Sequence, residues 1–227
     1  MTYLELINGV LRRLRENTVA TATETDYSRL IGDLVNDAKK TVEKSWEWSA
    51  LRNTVTLNTV SGTHTYALTG AGQDSILKDA MNDTSNLFLR QRTKTYFNTQ
   101  FYNTTPASGT PNYFTFNSTD ANGDIQVDVY PKPDGVYALR FDLVTPQADL
   151  TADATALKCP SNPVLQLAYG MALRERGETG GQSAQEQFGM ANIALSDAIA
   201  IDANKYPDEM TFQACLLYTS PSPRDRG

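Results

Sequence analysis

Asp120-Ala-Asn-Gly-Asp124 sets oxygen donors at alternate positions, the arrangement by which a loop grips calcium. An EF-hand loop also needs Gly at its sixth position and Glu at its twelfth, and those positions hold Ile125 and Pro131. The tip of a hairpin accounts for the same composition, so no metal site is assigned. His64, the only histidine, lies between Thr63 and Thr65 in an alternating stretch. A zinc cluster needs a second His or a Cys nearby, and no G-x-S-x-G elbow supplies a serine nucleophile. Cys159 precedes Pro160 with no partner motif and reads as a small, partly buried thiol. Gly70-Ala-Gly72 and Gly177 to Gly181 lack the Lys-Ser/Thr of a phosphate loop and read as turns. Carboxylates are abundant, but no spacing pairs two of them as acid and base. The residues therefore nominate no catalytic, cofactor or metal site, and no cofactor is expected.

Aromatic residues and charges say more about surfaces. Trp46 continues a helical apolar stripe, Trp48, two residues on, is expected to cover the first strand or a neighbouring chain, and core packing is the favoured reading for both. Tyr113, Tyr130 and Tyr137 fall on strands, where they either stack on a sugar or pack across strands. From Thr95 to Pro131 there is no Lys or Arg, while Asp120, Asp124 and Asp128 all occur. Basic residues gather on the helices (Arg12, Arg13, Arg15, Lys39, Lys40, Lys44) and at Arg90, Arg92 and Lys94. The pattern fits either solvated faces with local ion pairs or a subunit polarised between an acidic β end and a more basic helical part.

The elements that must carry these residues follow an α-β-α order. Thr2 with Glu5 forms a capping box, and Leu4, Ile7, Val10, Leu11 and Leu14 repeat at helical spacing. A second helix is expected from about Asp26 to Ser49, with its stripe through Leu30, Ile31, Leu34, Val35, Ala38, Val42 and Trp46. Arg52 to Val60 alternates, Ser61-Gly62 turns, and His64 to Leu68 returns, which predicts a hairpin. Further pairing is expected from Ile76 to Arg92 about Asn82-Asp83, then a short helix from Thr93 to Tyr102. Tyr113 to Phe116 and Ile125 to Tyr130 flank Asn122-Gly123, a strong hairpin turn, and Pro131 to Gly135 leads into Val136 to Val144. These strands are expected to form an antiparallel meander with one polar face. Asn162-Pro163 opens a third long helix that Gly177 stops, and Ser183 opens a fourth that ends before Pro207. The expected class is α+β: a four-helix-type bundle formed by both chain ends, with an inserted antiparallel β-sheet and hairpin region. Its parts are residues 1–50 and 147–214 for the bundle and 51–146 for the β region.

Composition bounds the class. With 40% hydrophobic and 20% charged residues, the 227-residue chain is expected to fold as a soluble globular protein. No apolar run approaches the roughly 18 residues of a membrane span, Glu5 interrupts the first apolar stretch, and two cysteines make no disulfide framework. A net charge of -6 argues against a broad face gripping phosphate. Cys215 to Asp225 resembles the in-frame translation of a transposase adapter used in sequencing libraries, so residues 215–227 are expected to be foreign and the gene environmental. Without them the chain carries 18 basic and 25 acidic residues, and Cys159 is its only cysteine.

The order of several segments resembles a known family. Tyr3-Leu-Glu-Leu-Ile-Asn-Gly-Val-Leu-Arg-Arg-Leu14, then Val35-Asn-Asp-Ala-Lys-Lys-Thr-Val42 and Trp46-Glu-Trp-Ser-Ala-Leu-Arg52, is similar to tailed-phage head-to-tail adaptor proteins. These are also called connectors or gatekeepers, and the similarity is to the tail tubular protein A-like type. Gly109 to Tyr113, Val127 to Tyr137 and Pro160 to Gly177 continue the likeness, which spans roughly residues 1 to 205. The resemblance implies a structural virion protein rather than an enzyme. Such adaptors form a ring, usually of twelve copies, beneath the portal vertex. The ring extends the DNA channel and offers a docking surface to the tail. The implied partners are the portal protein, a tail nozzle or tail tube protein, further copies of the chain, and passing genomic DNA bound without sequence specificity, with no membrane. The implied place is the head-tail junction of a virion made in the bacterial cytoplasm. An acidic lumen would repel phosphate and keep DNA from sticking. The alternatives are another phage neck or tail-completion protein and, further off, a carbohydrate-binding module or enzyme.

Overall fold

The computed structural model describes residues 1–177 and 182–205. Helix α1 (Tyr3–Arg13) starts at the expected capping box: Glu5 N–H donates to Thr2 Oγ1 at 3.3 Å and Thr2 N–H to Glu5 Oε2 at 2.9 Å. Helix α2 (Asp26–Ser45) has a second reciprocal cap, Thr25 with Ser28. It ends four residues before the expected Ser49. Trp46 is already extended, and the Trp48 indole turns back to donate to the Val42 carbonyl at 2.8 Å. That bond occupies one of the carbonyls a helix end leaves free, so the indole terminates the helix instead of riding on it.

After the strands come α4 (Ser161–Glu175) and α5 (Gln182–Ala203). Asn162 was expected to cap α4, but the helix opens two residues earlier, with Pro160 at the cap and no side-chain cap bond. Gly177, at φ 69°, stops it as expected. Gly180-Gly181, Pro207 and residues 215–227 lie outside the described residues. Leu6, Ile7 and Val10 of α1, Ile31, Val35 and Val42 of α2, and Val164 and Ala168 of α4 share one core, and each is at most 1% exposed. Burying each of the larger aliphatic side chains stabilises the fold by about 1.5–3 kcal/mol. Both ends of the chain therefore contribute to one helical core. Gly32 lets α1 approach α2: a Cβ there would sit 2.2 Å from the Tyr3 hydroxyl oxygen. Gly32→Ala is expected to lower stability by about 1–3 kcal/mol, measured by urea denaturation, because the buried ring must shift.

The insert differs from the expected meander. Strands β1 (Arg52–Asn58), β3 (Ile76–Asn82), β4 (Leu87–Phe88) and β8 (Ala138–Val144) form one sheet in the order β1-β8-β3-β4. Strands β2 (Thr65–Gly72), β5 (Arg90–Gln91), β6 (Tyr113–Thr119) and β7 (Asp124–Tyr130) form another in the order β2-β7-β6-β5. Leu139, Phe141 and Leu143 of the first sheet meet Leu68, Phe114, Val127 and Val129 of the second in one buried cluster. The two sheets thus pack face to face. The β6–β7 hairpin forms about Gly123, at φ 86°. The expected β1–β2 hairpin does not, because β1 pairs with β8 and β2 with β7. The turn between them is held elsewhere: Thr59 N–H donates to Tyr137 O at 2.9 Å and Gly62 N–H to Pro133 O at 2.8 Å. Both the β1-to-β2 and β7-to-β8 connections cross between sheets, the second through a cis Tyr130–Pro131 bond. One pairing, β5 with β6, is parallel.

A polar ladder on α2 joins the insert to the helices. Asn36 both donates to Leu150 O, at 3.1 Å, and accepts from Leu150 N–H, at 2.8 Å. Lys39 Nζ donates to the carbonyls of Gln147 and Ala148 and pairs with Glu43 at 3.4 Å. Glu43 in turn accepts from Gln147 N–H at 3.3 Å. These residues stand at i, i+3 and i+7, one face of the helix, and they pin the segment leading from β8 to α4.

Candidate functional site

The residues singled out for chemistry have mostly structural partners. Asp120 Oδ1 accepts the backbone N–H groups of Asn122, at 2.8 Å, and Asp124, at 2.9 Å, so its carboxylate closes its own turn. Asp124 Oδ1 accepts from Gly70 N–H at 3.1 Å. Neither oxygen set converges on a common point, and the described residues hold no group of three or more His, Cys, Asp or Glu that would bind a metal. Asp128, expected on an acidic β end, is 3% exposed and paired with Lys94, Thr65 and Asn117. It contributes nothing to a surface field. Lys39, counted among surface bases, is wholly buried. The polarity expected from charge order is correspondingly weaker on the folded surface.

Burial pushes the Cys159 thiol up to about 12, helped by the nearby Glu43 carboxylate, so it stays protonated and unreactive at neutral pH. His64 stacks on Phe101 with ring centroids 4.4 Å apart. The short helix expected after Thr93 forms as α3 (Lys94–Asn98) and runs on into a π-helical turn, Thr99–Asn103. Its Tyr96, Phe97 and Phe101 pack edgewise against Tyr130, which is buried. Tyr113 lies opposite Tyr130 across the β6–β7 ladder, but Tyr137 sits beside the other sheet and bonds Asp134 at 2.6 Å. The three tyrosines therefore form no common stacking platform. An open groove of about 700 Å³ runs beside this cluster, lined by Arg92, Lys94, Tyr96 and Phe116 among others. Its cations are engaged: Lys94 by Asp128, and Arg92 over the Tyr96 and Tyr113 rings.

Trp48 is 1% exposed within the helical core and faces no neighbour, whereas Trp46 is half-buried. The Trp46 indole donates to Asp202 Oδ2 at 3.2 Å, and Ser49 donates to the same carboxylate through both its N–H and its hydroxyl. Burial alone would raise the Asp202 pKa, but the bonds from Lys205 and Ser49 outweigh it and hold it at about 2. This knot fastens the end of α5 to the α2–β1 turn. Because the folded pKa lies below the unfolded one, near 3.8, its contribution is complete above that value and disappears as pH falls through 2. Asp202→Ala is expected to cost about 2–3 kcal/mol at pH 7. Urea denaturation should show a smaller gap between variant and parent at pH 3.

What the structure leaves open is apolar surface. Val60 and Val136 are exposed on adjoining loops at one end of the sheets. Leu87 and Phe88 are exposed on the edge strand β4, next to Arg90. Tyr102 stands out from the π turn. Met190, Ile193 and Ile201 are exposed on α5. Scattered singly, such residues are ordinary on a folded surface, but Met190, Ile193 and Ile201 recur at helical spacing along one helix. No helix among the described residues is long and apolar enough to cross a membrane.

The model of the SU10 adaptor protein family matches residues 1–211, a span that takes in both helical ends and the whole β insert. The chain belongs to the SU10 adaptor protein family. As a member it is a phage structural adaptor, a virion component that interacts with other components of the particle. A search of curated proteins found no match. For an SU10 adaptor the relevant sites are docking surfaces, and sequence reasoning placed none of them. Exposed Met and Ile on α5 had one usable signal: they fall off the stripe that packs on α4, on a helix apolar on more than one side.

Proposed function

We propose that the protein is a subunit of a ring that joins the portal of a phage capsid to the tail and extends the DNA channel, as tail tubular protein A-like adaptors do. The observation that carries this reading is the family match over residues 1–211, unbroken across helices and sheets. The exposed apolar residues at helical spacing on α5 support it, since a connector must meet neighbouring subunits. The net charge of -6 supports a conduit that DNA traverses without binding. The reading is tested by bridging. Portal rings and the tail nozzle protein of the same phage should co-sediment only when the chain is added. Co-sedimentation unaffected by the chain would remove the adaptor role and favour a tail-completion protein with a different partner.

A further inference from the structure

Two exposed helix faces differ in charge, the outer flank of α5 and the solvent side of α1. On α4, Leu165 abuts Gly9 of α1, while Gly170 abuts Phe188 of α5. Five residues separate these contacts, about 140° around the helix, so α1 and α5 flank α4 on nearly opposite sides. On the outer flank of α5, Met190, Ile193 and Ile201 are 57%, 60% and 66% exposed. Glu186 and Asp197 complete that stripe at helical spacing, both exposed and neither in an ion pair among the described residues. No Lys or Arg lies between Gln182 and Ala203. On the other face, Arg12 and Arg15 are exposed at the end of α1, also without an ion pair among the described residues. The half-buried Leu4 shares their side of α1.

The two faces are also level. Arg176, at the end of α4, bonds Glu16 at 2.6 Å and Leu14 O at 3.5 Å, just past Arg12. From Gly177 the chain reaches α5 within five residue steps, at most about 18 Å. Glu186 and the arginines thus lie toward the same end of the helical core.

We infer that the outer flank of α5 docks on the solvent side of α1 in a second copy of this chain. Met190, Ile193 and Ile201 become buried, and Glu186 meets Arg12 and Arg15. The contact joins two different surfaces, so it repeats from copy to copy and closes into a ring where the rotation permits. The inference rests on the ring reading above and names its seam. Glu16, the acidic residue beside Arg15, is already paired with Arg176, and apolar area at the centre with charge at the rim is the usual interface layout.

Charge reversal with the full-length chain tests it. In sedimentation velocity at low salt the parent should self-associate. Glu186→Arg/Asp197→Arg and Arg12→Glu/Arg15→Glu should each weaken association at least about tenfold, through like charges at the seam. Mixing the two variants should restore assembly as alternating copies, which a misfolded variant would not do. Ile193→Asp should weaken association, with no rescue by the Glu186→Arg/Asp197→Arg chain and only a single pairwise contact with the Arg12→Glu/Arg15→Glu chain. Unchanged association in all variants would overturn the seam and leave the adaptor role standing. A parent chain that stays monomeric at millimolar concentration would also overturn it, while portal bridging is judged by its own assay.

Discussion

Lys39→Met is expected to destabilise the protein by about 3–5 kcal/mol, as removal of one member of a buried ion pair does. The Lys39 ammonium satisfies two backbone carbonyls and faces Glu43 with side chains that are each 1% exposed. Methionine keeps most of the volume, so the loss isolates the polar contacts rather than a cavity. The pH dependence identifies the cause. Burial already holds the Glu43 carboxyl above its ordinary value, with the Lys39 charge opposing that rise. Without Lys39 the rise is larger, so the folded variant binds a proton that the unfolded chain releases. A carboxyl raised in the folded state makes stability fall as pH climbs from the unfolded pKa through the folded one. The variant should therefore lose more stability, relative to the parent, at pH 7.5 than at pH 4.5 in urea denaturation. An equal loss at both values would mean that Glu43 is not the stranded group.

Trp48→Ala is expected to cost a similar 3–5 kcal/mol, from the cavity left by a fully buried indole. The side chain sits where α2 hands over to β1, and its Nε1–H also satisfies the Val42 carbonyl. Against a typical domain stability of about 5–15 kcal/mol, this loss leaves a marginal fold. Thermal unfolding followed by circular dichroism should show a large drop in midpoint. Trp46→Ala, at a half-buried site, should cost markedly less. Equal costs would contradict the placement of Trp48 inside the helical core.

These residues also show what the sequence could and could not reveal. Helix positions were readable because the capping box at Thr2 and the stripes through Val10 and Val35 are local, and local patterns survive folding. The alternation of Leu139, Phe141 and Leu143 marked an inward face for the same reason. Pairing was not readable, since alternation says which face is buried but not which strand lies alongside. Hence β1 and β2 looked like a hairpin although they belong to different sheets. Lys39 looked like a surface base, yet it stands four residues after Val35 and three before Val42, on the buried side of α2. Glu43 at i+4 supplied the charge that makes such burial tolerable, and that pairing was the available signal. Asp128 misled in the same way, because its partner Lys94 is remote in sequence. The docking surfaces left the weakest trace, as exposed apolar residues acquire meaning only once the helix that carries them has been packed.

The central claim, a ring subunit that seats on the portal, is tested most directly by mass. The full-length chain would be mixed with the portal ring encoded on the same DNA fragment, and the products weighed by mass photometry. The account predicts one discrete complex carrying about one adaptor per portal subunit, as matched closed rings require. A portal peak that stays at its own mass would contradict it.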